Sequence, residues 1–99
     1  MNYVPTVVQA VPGDAYTVYA YFSDGTVRLA NVKPLIDRGG VFRPLSDQEV
    51  FREKITVLNG TVAWDLKGDR DPTKCIDIDP CELYRKSPVV PDPLGDTVA

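Results

Sequence analysis

Tyr16-Thr17-Val18-Tyr19-Ala20-Tyr21-Phe22 runs into Ser23-Asp24-Gly25-Thr26 and then into Val27-Arg28-Leu29-Ala30. The first segment is rich in aromatic and β-branched residues, which pack well on a pleated surface, so it predicts a strand. Asp24-Gly25 is a favoured two-residue hairpin loop, because type I′ geometry needs positive φ at both central positions. That loop sets Phe22 opposite Val27, Tyr21 opposite Arg28 and Ala20 opposite Leu29. Ala20, Phe22, Val27 and Leu29 then form the expected core face, and Tyr19, Tyr21, Arg28 and Ala30 the opposite one.

Toward the N-terminus, residues 4–11 alternate as a further strand, with Pro5 at its start and Pro12-Gly13-Asp14 as turn chemistry. Toward the C-terminus, Lys33 to Arg38 reads as a short helix with Pro34 in its first turn and Gly39-Gly40 at its end. Ser46 and Glu49 have capping-box spacing ahead of a helix that turns Val50 and Phe51 inward. Residues 55–58, Asn59-Gly60 and 61–64 predict a second tight hairpin, with Val57 opposite Val62 and Ile55 opposite Trp64. Phe22, Leu29, Val57 and Trp64 are the expected centre of the core. Residues 65–74 read as a polar loop and 75–78 as an edge strand. Asp79-Pro80 starts a last short helix to Arg85.

These elements predict an α+β fold: a small, mainly antiparallel sheet from two tight hairpins plus an N-terminal strand, with two or three short helices. The chain of 99 residues has the length of one domain, placed at residues 1–86. Residues 87–99, with Pro88, Pro91, Pro93 and Gly95 and few packing side chains, are expected to be a disordered tail.

Composition narrows the function classes. Fourteen acidic against eleven basic residues give a net charge of −3, without the basic excess that phosphate neutralisation requires of nucleic-acid binders. There is no histidine, which removes the side chain best suited to proton transfer near neutral pH and the commonest metal ligand. No glycine-rich phosphate loop or nucleophile–base pair is visible, so no catalytic residue and no cofactor are assigned and the chain reads as a non-enzyme. No membrane span or signal peptide is recognisable, which points to the cytoplasm and to reduced thiols at Cys75 and Cys81, with a disulfide between them as the lesser alternative. Cys75, Asp77, Asp79 and Cys81 alternate, but their spacing does not match a zinc knuckle and Asp79 is better used as a cap. Asp65, Asp69 and Asp71 do not follow a calcium-loop template. No metal site is assigned.

Several short motifs keep a fixed order: Phe22-Ser23-Asp24-Gly25, Val32-Lys33-Pro34-Leu35, Gly40 to Leu45, Trp64, Asp77 to Pro80, and Leu83-Tyr84. In this the chain resembles a family of small prokaryotic proteins catalogued as a domain of unknown function. The resemblance implies a compact α+β domain without established catalytic residues. It also implies a setting: stand-alone members are often encoded beside a second small protein, and some are described as the antitoxin half of a toxin–antitoxin pair. A protein-binding module is the expectation that follows, with a small protein encoded nearby as its partner and a homo-oligomeric structural or small-ligand-binding module as the alternative. Tyr and Arg are enriched at interfaces, so Tyr19, Tyr21 and Arg28 are the candidate contact residues, with an open sheet edge or the tail as other routes.

Overall fold

A computed structural model describes residues 5–68 and 75–93. In chain order the elements are β1 (Val7–Pro12), β2 (Thr17–Phe22), β3 (Val27–Asn31), α1 (Lys33–Arg38), a 3-10 segment (Gly40–Ser46), α2 (Gln48–Glu53), β4 (Ile55–Leu58), β5 (Thr61–Trp64), β6 (Ile76–Asp77) and α3 (Pro80–Lys86). The fold is α+β and its strand pairs are antiparallel. The two hairpins do not share one sheet; they head two three-stranded sheets, β1-β2-β3 and β4-β5-β6. Val7 joins them. Its N–H donates to the Gly60 carbonyl at 2.9 Å, and the register of β1 shifts between Val7 and Gln9, where a bulge bends the strand.

The second hairpin follows the sequence reading. Asn59 and Gly60 both have positive φ, at 53° and 75°, and Ile55 pairs with Trp64 and Val57 with Val62. Asparagine tolerates the left-handed region and glycine meets no steric penalty there, so this dipeptide fits the tight turn.

The first hairpin corrects it. Tyr19 pairs with Leu29, Ala20 with Arg28 and Tyr21 with Val27, one residue away from the two-residue-loop register. The Gly25 N–H donates to the Phe22 carbonyl at 3.0 Å, and the Phe22 N–H donates to the Thr26 carbonyl at 2.9 Å. Only Gly25 of the loop has positive φ, at 90°. Ser23, Asp24 and Gly25 therefore form the loop, a turn followed by a left-handed glycine, rather than Asp24-Gly25 alone. Asp24 remains outside the left-handed region, and its carboxylate accepts from both the Thr26 N–H and hydroxyl. A one-residue slip exchanges the two faces of β3. Val27 and Leu29 consequently lie opposite the core, and Arg28 and Ala30 lie on its side.

The core gathers Val7, Val18, Ala20, Phe22 and Ala30 of the first sheet, Val62 and Trp64 of the second, and Ile36, Leu45, Phe51 and Leu83 from the helical segments. Trp64 is fully buried, tilted against the Phe51 ring at 5.3 Å, and its indole N–H donates to the Phe51 carbonyl at 2.9 Å. Phe22 and Trp64 are central as the sequence suggests, and Val57 packs half-buried against the cluster. Leu29 does not join it.

The helices are set by local chemistry. α1 starts with Pro34 in its first turn and gives way to Gly39 at φ 80°. α2 is capped by Asp47, whose carboxylate accepts from the Glu49 N–H, and not by Ser46, which belongs to the 3-10 segment; Phe51 is the residue it buries. Asp79 caps α3 through the Cys81 N–H, with Pro80 at its first position.

The chain after α3 departs from the disordered-tail reading. Ser87 is buried, the Leu29 N–H donates to the Pro88 carbonyl at 2.9 Å, and the Val90 N–H donates to the Val27 carbonyl at 2.8 Å. Residues 88–90 thus lie antiparallel along the outer edge of β3, with Val89 opposite Arg28. Residues 94–99 of the tail, the start of the first strand at residue 4, and loop residues 69–74 lie outside the described residues.

Candidate functional site

The register divides the three candidate contact residues. Tyr19 and Tyr21 remain on the outer face of the first sheet, both half-buried, now beside Leu29 and Val27. Arg28 pairs with Ala20 on the inner side and is not part of that face.

Arg28 instead clasps α3 to the first hairpin. Its guanidinium carbon lies 3.8 Å from the centroid of the Tyr84 ring, and Nη1 donates to the carbonyls of Tyr84 at 3.0 Å and Ser87 at 3.3 Å. The two carbonyls lie at the C-terminal end of α3, where a cation complements the helix dipole. Nε donates to the Thr26 hydroxyl at 3.3 Å. The Tyr84 hydroxyl donates to Asp24 Oδ2 at 2.8 Å, and its ring meets Phe22 edge-on at 5.1 Å. Phe22, Asp24 and Tyr84, which stand in two of the separate sequence motifs, are thereby one structural contact.

The same contacts tune two ionisable groups. The Thr26 hydroxyl and amide, and more weakly Tyr84 and Arg28, hold the Asp24 carboxyl below its ordinary 3.8. Tyr84 is raised above its ordinary 10.0, first because its hydroxyl donates to Asp24. A carboxyl lowered in the folded state favours folding once ionised. That contribution is present above the unfolded value of 3.8 and is lost as the pH falls through the lower folded value. Asp24→Asn is therefore expected to melt below the parent at neutral pH, with the difference shrinking in acid below pH 3.8. Thermal melts of both proteins across pH 2 to 7 check this, and a constant difference would mean that the Asp24 charge plays no part.

The outer face has a different chemistry. A Cβ placed at Gly13 would lie 3.1 Å from the Tyr19 ring, so this ring packs directly over the turn between β1 and β2. The Tyr21 hydroxyl donates to Asp92 at 2.5 Å. Val27 is only 8% exposed yet stands outside the core cluster, because it lies between Tyr21 and the chain at Val90. Leu29, Thr17 and Pro88 line a shallow apolar depression of about 580 Å³ that continues the face. Aromatic rings with hydroxyl tips on a flat aliphatic surface suit contact with another protein, since they combine apolar area with hydrogen-bonding ends.

Elsewhere a cleft of about 330 Å³ separates α1 from α3, floored by Val32, Leu35 and Leu83 and rimmed by Arg38, Glu82 and Lys86. Lys86 and Glu82 are paired at 3.0 Å on the α3 surface. Among the described residues no cluster of acidic, cysteine or histidine side chains could hold a metal ion. Cys75 is half-buried and Cys81 is exposed. None of the described helices is long and apolar enough to cross a membrane.

The family described as a protein of unknown function (DUF2442) matches residues 7–89. The chain belongs to this family. The DUF2442 match opens at the first residue of β1 and closes within the segment paired to β3, so it takes in both sheets, α3 and the Arg28 clasp. No curated protein and no solved structure matches the chain.

Sequence reasoning located Tyr19 and Tyr21 on one face but missed Leu29, Val27 and residues 88–92 beside them. The available signal was Ser23-Asp24-Gly25-Thr26 itself, whose Asp-Gly pair serves a three-residue loop as well as a two-residue one.

Proposed function

We propose that this chain is a non-enzymatic protein-binding module that binds and neutralises a small partner protein encoded nearby, as the antitoxin of a toxin–antitoxin pair. The observation that carries the reading is the outer face of the first sheet, where half-buried Tyr19 and Tyr21 stand side by side with Leu29 opposite the core. Rigid aromatic side chains are the usual anchors of protein interfaces. The net charge of −3 complements a basic partner and favours encounter with it. The proposal includes no cofactor and no direct contact with nucleic acid or membrane. Arg28 is no longer part of the contact, since its guanidinium is engaged by α3.

Co-expression tests it. The intact chain is expected to restore growth to cells producing a toxic neighbour and to co-elute with that protein. Replacing both Tyr19 and Tyr21 by Ala should weaken binding about thirtyfold or more, since an interface anchor is worth about 2 kcal/mol. A variant that still melts cooperatively but binds unchanged would remove this face from the contact. Failure of the intact chain to bind or protect, together with self-association in solution, would favour the homo-oligomeric alternative.

A further inference from the structure

We propose that the outer edge of β3 is a docking edge for an extended segment of the partner protein, and that residues 88–92 occupy it in the free chain as a displaceable strap. The inference rests on the protein-binding reading and specifies how the partner engages the same face.

The strap is held lightly. Two ladder hydrogen bonds attach it, from Leu29 N–H to the Pro88 carbonyl and from Val90 N–H to the Val27 carbonyl, beside the side-chain bond from the Tyr21 hydroxyl to Asp92. Pro88, Val89, Pro91 and Asp92 are exposed, Val89 at 58%, and only Val90 is half-buried. Pro88 carries no N–H, so it accepts from Leu29 but cannot donate a further ladder bond to β3. Segments with few buried apolar contacts open locally well before the domain unfolds. The edge beneath has the opposite character. β3 is paired along its inner edge with β2, and when the strap leaves, the Leu29 N–H and Val27 carbonyl become the unpaired groups of an open strand. Such an edge accepts an incoming strand through main-chain hydrogen bonds.

The strap also shows which segment fits. It runs antiparallel to β3, sets an apolar side chain at Val90 beside Val27, and two residues later offers the Asp92 carboxylate to the Tyr21 hydroxyl. A partner segment of matching chemistry is extended, with an aliphatic residue followed at the second position by a hydrogen-bond acceptor. Tyr21 is then shared between the edge and the outer face, so one bound segment is continuous with the Tyr19–Leu29 surface. Strap and partner compete, and the apparent affinity is reduced by the fraction of molecules in which the edge is open.

The test uses the full chain and a synthetic peptide with the sequence of residues 86–93 as probe. Val90→Pro removes the N–H that bonds Val27 and leaves α3 and the core untouched. The variant is expected to bind the peptide about tenfold more tightly than the parent, the equivalent of one backbone hydrogen bond lost from the competing strap. The amide signals of Leu29 and Tyr21 should move on titration. In the parent, the Leu29 and Val90 amides should exchange with solvent together and faster than the β2–β3 ladder. Equal affinity for parent and variant, absence of binding to both, or exchange at Leu29 as slow as in that ladder would each overturn the proposal. Binding of the neighbouring protein with no gain in Val90→Pro would remove the strap while leaving the partner reading. Peptide binding with no affinity for the neighbouring protein would leave the edge and remove that partner.

Discussion

Trp64→Ala is expected to lower the unfolding free energy by about 3–5 kcal/mol, the range for deleting a large aromatic side chain from a packed core. Trp64 is fully buried, tilted on Phe51, in the core cluster to which both sheets and the helical segments contribute. Two losses combine in the variant. The ring's volume becomes a cavity that neighbours can fill only in part, and the Phe51 carbonyl loses the indole N–H bonded at 2.9 Å. Domains of this size have about 5–15 kcal/mol in total, so the variant sits near the limit of folding. Its melting temperature should fall by about 4–8 °C for each kcal/mol lost. Trp64→Phe retains most of the ring and removes the hydrogen bond, and should fall between parent and Trp64→Ala. Thermal and urea melts measure both, and a Trp64→Ala protein melting with the parent would refute this core.

Arg28→Ala should cost about 2–3 kcal/mol, for a reason invisible in the sequence. An arginine on an exposed sheet face would be replaceable within about 0.5 kcal/mol. Here the guanidinium donates to the Tyr84 and Ser87 carbonyls, covers the Tyr84 ring and braces Thr26, so its removal takes away all of these contacts at once. Arg28→Lys is expected to recover only part of the loss, because an ammonium cannot reproduce the planar fork that reaches both carbonyls and stacks on the ring. A stability change near zero for Arg28→Ala would return Arg28 to the outer face and with it the two-residue loop.

Much of the architecture is legible in the residues because its causes are local. Asn59-Gly60 selects the tight turn, and that turn alone aligns Ile55 with Trp64. Pro34 and Gly39-Gly40 bracket α1, and Asp79-Pro80 starts α3. The α2 cap lies one residue from the sequence reading because Ser46 and Asp47 are both capping residues, and the 3-10 segment reaches Ser46.

The candidate site needed contacts from far along the chain. Ser23-Asp24-Gly25-Thr26 is compatible with either loop length, and Val27 and Leu29 are more apolar than Arg28 and Ala30, which favours the wrong register when β3 is read alone. The observed register places a charged residue on the core side, and this is tolerable only because α3 brings two carbonyls and the Tyr84 ring to its guanidinium. Residues 88–92 show the same dependence in reverse. Their prolines and sparse apolar residues provide no strand signal, and they are ordered in place by an edge that β3 supplies and a hydroxyl that Tyr21 supplies. Turns and caps are short-range and belong to the sequence; the face on which Tyr19 and Tyr21 meet Leu29 is a matter of register, and register was settled by the packing of α3 against the first hairpin.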